Sequence, residues 1–137
     1  MREMRFRGKN KDGQWIYGEA RTHKNDVCIF KPHANSGETV DEQTVGEFTG
    51  LRNKSSEDLY EGDIIEMDLI DSIFGDLVKI TDGNYIKAPI IFKDGAFVVR
   101  YSKNKTICLD AIVRLCHCKV AGNIYDNADI ITYPAEN

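Results

Sequence analysis

The segment Ile86–Tyr101, IKAPIIFKDGAFVVRY, is the stretch of this chain with the least conformational choice. Apolar residues alternate on both sides of Asp94-Gly95, and glycine accepts the positive φ that a two-residue hairpin turn requires. Such a turn fixes a register in which Lys93 faces Ala96, Phe92 faces Phe97, Ile90 faces Val99 and Ala88 faces Tyr101. Side chains alternate across a strand, so Ile86, Ala88, Ile90, Phe92, Phe97, Val99 and Tyr101 fall on one core face. Pro89 lies on the other face and donates no ladder hydrogen bond, which predicts an edge position or a bulge there.

Similar punctuation runs along the rest of the chain, and no segment keeps apolar residues at helical spacing over three turns. A second hairpin is expected in MRFRGKNKDGQWIYGEA with Asp12-Gly13 as its turn. In that register Phe6, Gly8, Trp15 and Tyr17 share a buried face, and Arg5, Arg7, Lys9 and Lys11 form a basic row on the other. Residues 21–41 read mostly as loop around a short strand at Val27–Phe30. TVGEFTGL predicts another strand, RNKSSED a polar turn, and VRLCHCKVAGNIYDN a strand that ends in a turn at Asp126-Asn127. Short strands and tight turns together predict an all-β or β-dominated fold. The expected form is a single domain over 1–137, with an N-terminal β-hairpin at 1–20 packed on a small antiparallel barrel of the Src-homology-3-like type at 40–127.

The 137 residues carry 42% hydrophobic side chains and a formal net charge of −4, enough apolar material for one core. The acidic balance argues against nonspecific coating of nucleic acid, which relies on Lys and Arg replacing counterions. No apolar run has the length of a signal peptide or a membrane span, so a cytoplasmic protein with reduced thiols and no membrane association is expected.

Three features invite a chemical reading. In LYEGDIIEMD, Glu61 and Asp63 flank Gly62. Asp63 has the parity of the inward residues Ile65 and Met67, so it is a carboxylate at the mouth of the core. There a short acidic side chain beside a glycine commonly accepts from backbone amides and fixes a turn. General acid and base roles need a cleft and a partner, and two residues flanking a tight corner rarely converge on one. Gly62 and Asp63 are read as a structural turn. In LCHCKV, Cys116 and Cys118 point to one side of a strand and His117 to the other, and a zinc site would want a second ligand pair. Cys28, Cys108, His23 and His33 are isolated in sequence, so no metal and no cofactor is expected, with Cys108 the best further ligand if strand pairing brought it alongside. GKNKDG lacks the spacing and the following helix of a phosphate-cradling loop, and catalytic fingerprints are absent.

RFRGK, GQWIYG, TVGEFTGL, LYEGDII and GNIYDN, in this order from Arg5 to Asn127, resemble the YopX family of phage and prophage proteins. The resemblance implies a β-rich, barrel-like protein of a mobile element acting inside a bacterial cell. It implies no reaction and hands over no catalytic residues. Members commonly carry Asn-Gly where this chain has Ser55-Ser56, and a proline where it has Ala128. The function expected is that of a noncatalytic accessory protein that binds a protein partner or itself, with Arg5, Arg7 and Lys9 as the candidate interaction residues. The alternative is a nucleic-acid-binding protein using the same basic strand face.

Overall fold

Backbone pairing in the computed structural model, which describes residues 5–67, 86–115 and 117–132, is antiparallel throughout. The chain divides into two units, residues 1–50 and 51–137.

In the first unit, β1 (Phe6–Lys9), β2 (Trp15–His23), β3 (Asp26–Phe30), β4 (Glu38–Val40) and β5 (Gly46–Arg52, entering the second unit at Leu51) form a sheet in the order β4-β3-β2-β1-β5. Its core is Ile16, Ile29 and Val40, flanked by Phe6, Ala20, Val27 and Val45. The expected loop at 21–41 is shorter than the sequence reading made it. β2 continues to His23 and turns into β3 through Lys24 and Asn25, whose φ values of 49° and 72° are those of a tight primed turn. That turn contains no glycine, and only the tolerance of Asn for the left-handed region marked it.

In the second unit, β6 (Asp58–Tyr60) lies beside the end of β5. β7 (Asp63–Met67), β8 (Ile86–Lys93), β9 (Ala96–Ser102), β10 (Lys105–Cys108) and β11 (Cys118–Asn123) make a five-stranded sheet in the order β10-β9-β8-β7-β11. A helix, α1 (Leu109–Leu115), joins β10 to β11. Leu59, Ile65, Met67, Ala88, Ile90, Val99, Leu109 and Ile112 form the core. The β8–β9 hairpin has the register read from its sequence, with Asp94 and Gly95 at φ 52° and 84°.

Four expectations are corrected. The described strands do not close into a barrel: β10 and β11 end the five-stranded sheet, and β5 pairs with β1. β8 is central, so Pro89 is neither at an edge nor in a bulge. It sits where pairing passes from β7, matched to Ile86–Pro89, to β9, matched to Ile90–Lys93, a position that tolerates a missing N–H. Phe92 is 53% exposed near the hairpin tip, where it meets Phe97 edge to face at 5.1 Å. The segment before Cys118 is helical, because Leu109 and Ile112 bury themselves at a spacing of three and Arg114 bonds Asp110 one turn back at 3.1 Å.

One strand position and one turn position carry backbone demands. A Cβ at residue 18 would lie 1.9 Å from the Phe30 carbonyl oxygen, so only glycine lets β2 approach the end of β3 there. Gly18→Ala is expected to destabilise the protein by about 3 kcal/mol or more, since the obstacle is backbone and cannot rotate aside. Ser56 stands at φ 63°, a left-handed conformation that costs a side-chain-bearing residue roughly 1 kcal/mol or more. Ser56→Gly is therefore expected to stabilise the protein by about 0.5–1 kcal/mol, read as a higher urea midpoint at unchanged m-value.

Candidate interaction face

The β1–β2 loop decides which side chains share a face. Asn10 donates its N–H to the Gln14 carbonyl at 2.9 Å, and its Oδ1 accepts from the amides of Asp12 at 3.0 Å and Gln14 at 2.9 Å. The connection thus runs from Asn10 to Gln14, with Gly13 at φ 78°, and Lys9 is set opposite Trp15. A two-residue turn at Asp12-Gly13 would have shifted the pairing by one position. The observed partners are Phe6 with Gly18, Arg7 with Tyr17 and Gly8 with Ile16. A shift of one reverses the faces. Phe6 and Gly8 face the core as expected, now with Ile16, while Trp15 and Tyr17 stand with Arg7 and Lys9, contrary to the sequence reading.

The consequence is a sheet face built from cations on rings. The Arg7 guanidinium lies 4.6 Å from the Trp15 ring centre and the Lys9 ammonium 5.4 Å from it. Arg5 lies 4.4 Å over Phe48, and Arg21 4.6 Å over Phe30. Arg7 is only 6% exposed, Arg5, Lys9 and Trp15 are half-buried, and Tyr17 is 44% exposed. The row is thus a partly buried strand face whose cations rest on rings. Each desolvated cation–ring contact contributes about 2 kcal/mol and each exposed one under about 1. Glu19 holds Arg21 at 2.9 Å on the exposed side of the same face.

In the second unit, Gly62 at φ 93° donates its N–H to the Ile90 carbonyl and accepts at its own carbonyl from Ile124, both at 2.9 Å. Asp63 is 2% exposed, and its Oδ2 accepts the Tyr60 amide at 2.8 Å. Glu61 is half-buried at the corner. Asn53, not singled out by sequence, is a polar hub nearby. Its Oδ1 accepts from the amides of Ser55 and Glu57, and its Nδ2 donates to the Glu57 carboxylate and to the Cys118 carbonyl at 2.9 Å. The signal for it was an Asn opening a polar turn.

His117 is exposed and Cys118 is buried in the core. Cys108 is exposed, and Cys28 is buried 3.7 Å from the Thr39 hydroxyl. Among the described residues no three His, Cys, Asp or Glu converge as metal ligands would. Cys116 and the acidic Asp68, Asp71 and Asp76 lie outside the described residues. Among the clefts, one of about 910 Å³ in the first unit is lined by Asn10, Asp12, Glu38 and Asp41, and one of about 340 Å³ in the second by Glu66, His117, Cys118 and Lys119. No helix among the described residues is long and apolar enough to cross a membrane.

Two antiparallel sheets, a single short α-helix among the described residues and a cation–ring face define a β-dominated protein. The chain belongs to the YopX family, whose model, described as YopX protein, matches residues 5–132. No curated protein matches it.

Arg7→Ala should cost about 2 kcal/mol, because it removes a buried stem and a desolvated ring contact, whereas Lys9→Ala should cost under about 1. Trp15, the single tryptophan, reports both changes through its emission during urea unfolding. Asp63→Asn is expected to cost about 1–2 kcal/mol, since an amide accepts the Tyr60 N–H less strongly and adds donors to a buried site.

Proposed function

We propose that this YopX-family chain is a noncatalytic accessory protein of phage or prophage origin that acts in the bacterial cytoplasm by binding protein, copies of itself included. The observation that carries this reading is the cation–ring face, where the exposed Tyr17 and Arg21 share the side of β2 that carries the half-buried Trp15, with Lys9 over the Trp15 ring and Arg21 over Phe30. Tyr, Trp and Arg are the residue types that dominate interface energetics, and rings fixed by cations lose little freedom on docking. Among the described residues on this side, Lys9 and Arg21 stand with one carboxylate, Glu19, and the partner that suits them is an acidic segment. The chain itself carries such a segment in Glu57, Asp58 and Glu61, which makes a second copy a partner of the right charge.

The noncatalytic part of the reading is supported by the corner. The Asp63 carboxylate is committed to the Tyr60 amide in the core, and Glu61 does not share its environment. A nucleic-acid reading is favoured by one observation, the placement of Trp15 and Tyr17 beside Arg7 and Lys9, since single strands stack on rings next to cations. Arg7 and Lys9 already lie against Trp15, and Tyr17 is the more exposed of the two β2 rings on this face. A stacking platform wants several.

Sedimentation velocity at low and high salt separates these readings. Self-association that weakens as salt rises, and that Lys9→Glu combined with Arg21→Glu removes by at least tenfold, is the expected result. A monomer at every ionic strength that binds a single-stranded oligonucleotide with salt-sensitive affinity, lost in the same double variant, would replace it with the nucleic-acid reading.

A further inference from the structure

The end of β3 holds a second feature that the binding face does not account for. Lys31-Pro32-His33-Ala34 forms a tight turn closed by the Ala34 amide on the Lys31 carbonyl at 3.0 Å. Pro32 presets the first central position, and His33 takes the second at φ 63°, the arrangement of a type II turn in which glycine is usual. Here the left-handed residue is an imidazole instead. The turn borders a cleft of about 340 Å³ whose polar lining is Arg5, Arg21, Lys31, His33 and Glu19, with the Phe30 ring and Gly18 completing its wall. Because no Cβ stands at residue 18, the Phe30 backbone closes directly on β2, and the cleft is bounded by fixed main chain on that side.

Among the described residues that line it, Arg5, Arg21, Lys31 and His33 stand with one carboxylate, Glu19, in a chain whose net charge is −4. The positive character is therefore local. Arg21 is held flat on Phe30 at 4.6 Å, with one terminal nitrogen on Glu19 at 2.9 Å. A guanidinium carries five N–H donors in a rigid fork, so an ordered Arg21 offers further donors in a fixed direction. Glu19 already supplies Arg21 with a carboxylate. A single-charge ligand would only exchange one carboxylate for another, whereas a doubly charged oxyanion draws on Arg5, Lys31 and His33 as well. We propose that this cleft is a binding site for a phosphate monoester group, held by Arg21 and Lys31 with Arg5 and His33 at its sides.

The probe is inorganic phosphate, titrated at fixed ionic strength and followed by amide chemical shifts of the whole chain. The expected result is a saturable response concentrated at Gly18, Arg21 and Lys31–Ala34. Lys31→Glu should weaken it at least tenfold. His33→Gly, which keeps or relaxes the turn while removing the imidazole, should weaken it severalfold. Lys11→Glu, outside the cleft in the same unit, should leave it unchanged. Adenosine 5′-monophosphate and O-phosphoserine distinguish the source of the group: tighter binding of either than of phosphate names that source, and equal binding of all three leaves the phosphate itself as what is recognised. Shifts that never saturate, an equal response to acetate, or unchanged affinity in both Lys31→Glu and His33→Gly would overturn the proposal.

Discussion

The amide oxygen of Asn10 is one atom on which the first unit depends. By accepting from Asp12 and Gln14 it places Lys9 opposite Trp15, and the alternation of strand side chains does the rest. Had the loop been shorter by the equivalent of one pairing step, Trp15 would have turned toward Ile29 and Val40, and Ile16 would have turned outward. The energetic penalty of that exchange is large, because an indole would have to fit where Gly8 leaves only 2.8 Å between a Cβ and the Val40 methyl. Loop chemistry and core volume thus select the same register, and the cation–ring face is the outcome on the other side of the sheet.

The chain contains a direct comparison of what a dipeptide alone can say. Asp12-Gly13 and Asp94-Gly95 are identical, yet the second makes a two-residue turn with both residues at positive φ, and the first sits inside a longer loop where only Gly13 is positive. The difference lies in Asn10, two residues before the first pair, whose side chain bonds the loop amides. Phe92, at the same place before the second pair, has no acceptor with which to do the same. The hairpin at 86–101 was legible because nothing local competed with its turn. The β-dominated class was legible from the same alternation, and so was the inward parity of Asp63. Barrel closure was not, because it depends on which strands meet across the fold, and periodicity along one strand carries no information on that. The helix at Leu109–Leu115 escaped notice for a different reason. At seven residues it completes barely two turns, too few for a helical period to stand out from strand alternation.

The corner at Gly62 shows how the second unit converts a local conformation into long-range connection. Positive φ at Gly62 directs its N–H to β8 and its carbonyl to the residue after β11, strands far apart in sequence. Asp63 then satisfies the Tyr60 amide that the same bend would otherwise leave without a strand partner. Asn53 performs a comparable service one turn earlier, by closing its own loop and reaching the Cys118 carbonyl. Asp63, which looks chemically suggestive in the sequence, and Asn53, which does not, both use their hydrogen bonds to join segments of the chain.

The first unit treats its charges in the opposite way. Arginine and lysine side chains are long and lose much rotamer freedom when they are held, about 2 kcal/mol each on burial. Resting them on Trp15, Phe30 and Phe48 incurs that ordering cost within the fold, and the ring contacts offset it. A partner that meets Arg21 or Lys9 then meets a cation already positioned, and less affinity is spent on fixing it. The same constraint limits which partner can gain: ring faces already occupied by cations offer little to a stacking base, while the outward edges of the guanidinium groups remain suited to carboxylate and phosphate oxygens. On the proposed reading, preorganised cations resting on rings suit the oxyanions of a protein or small-molecule partner better than stacked bases.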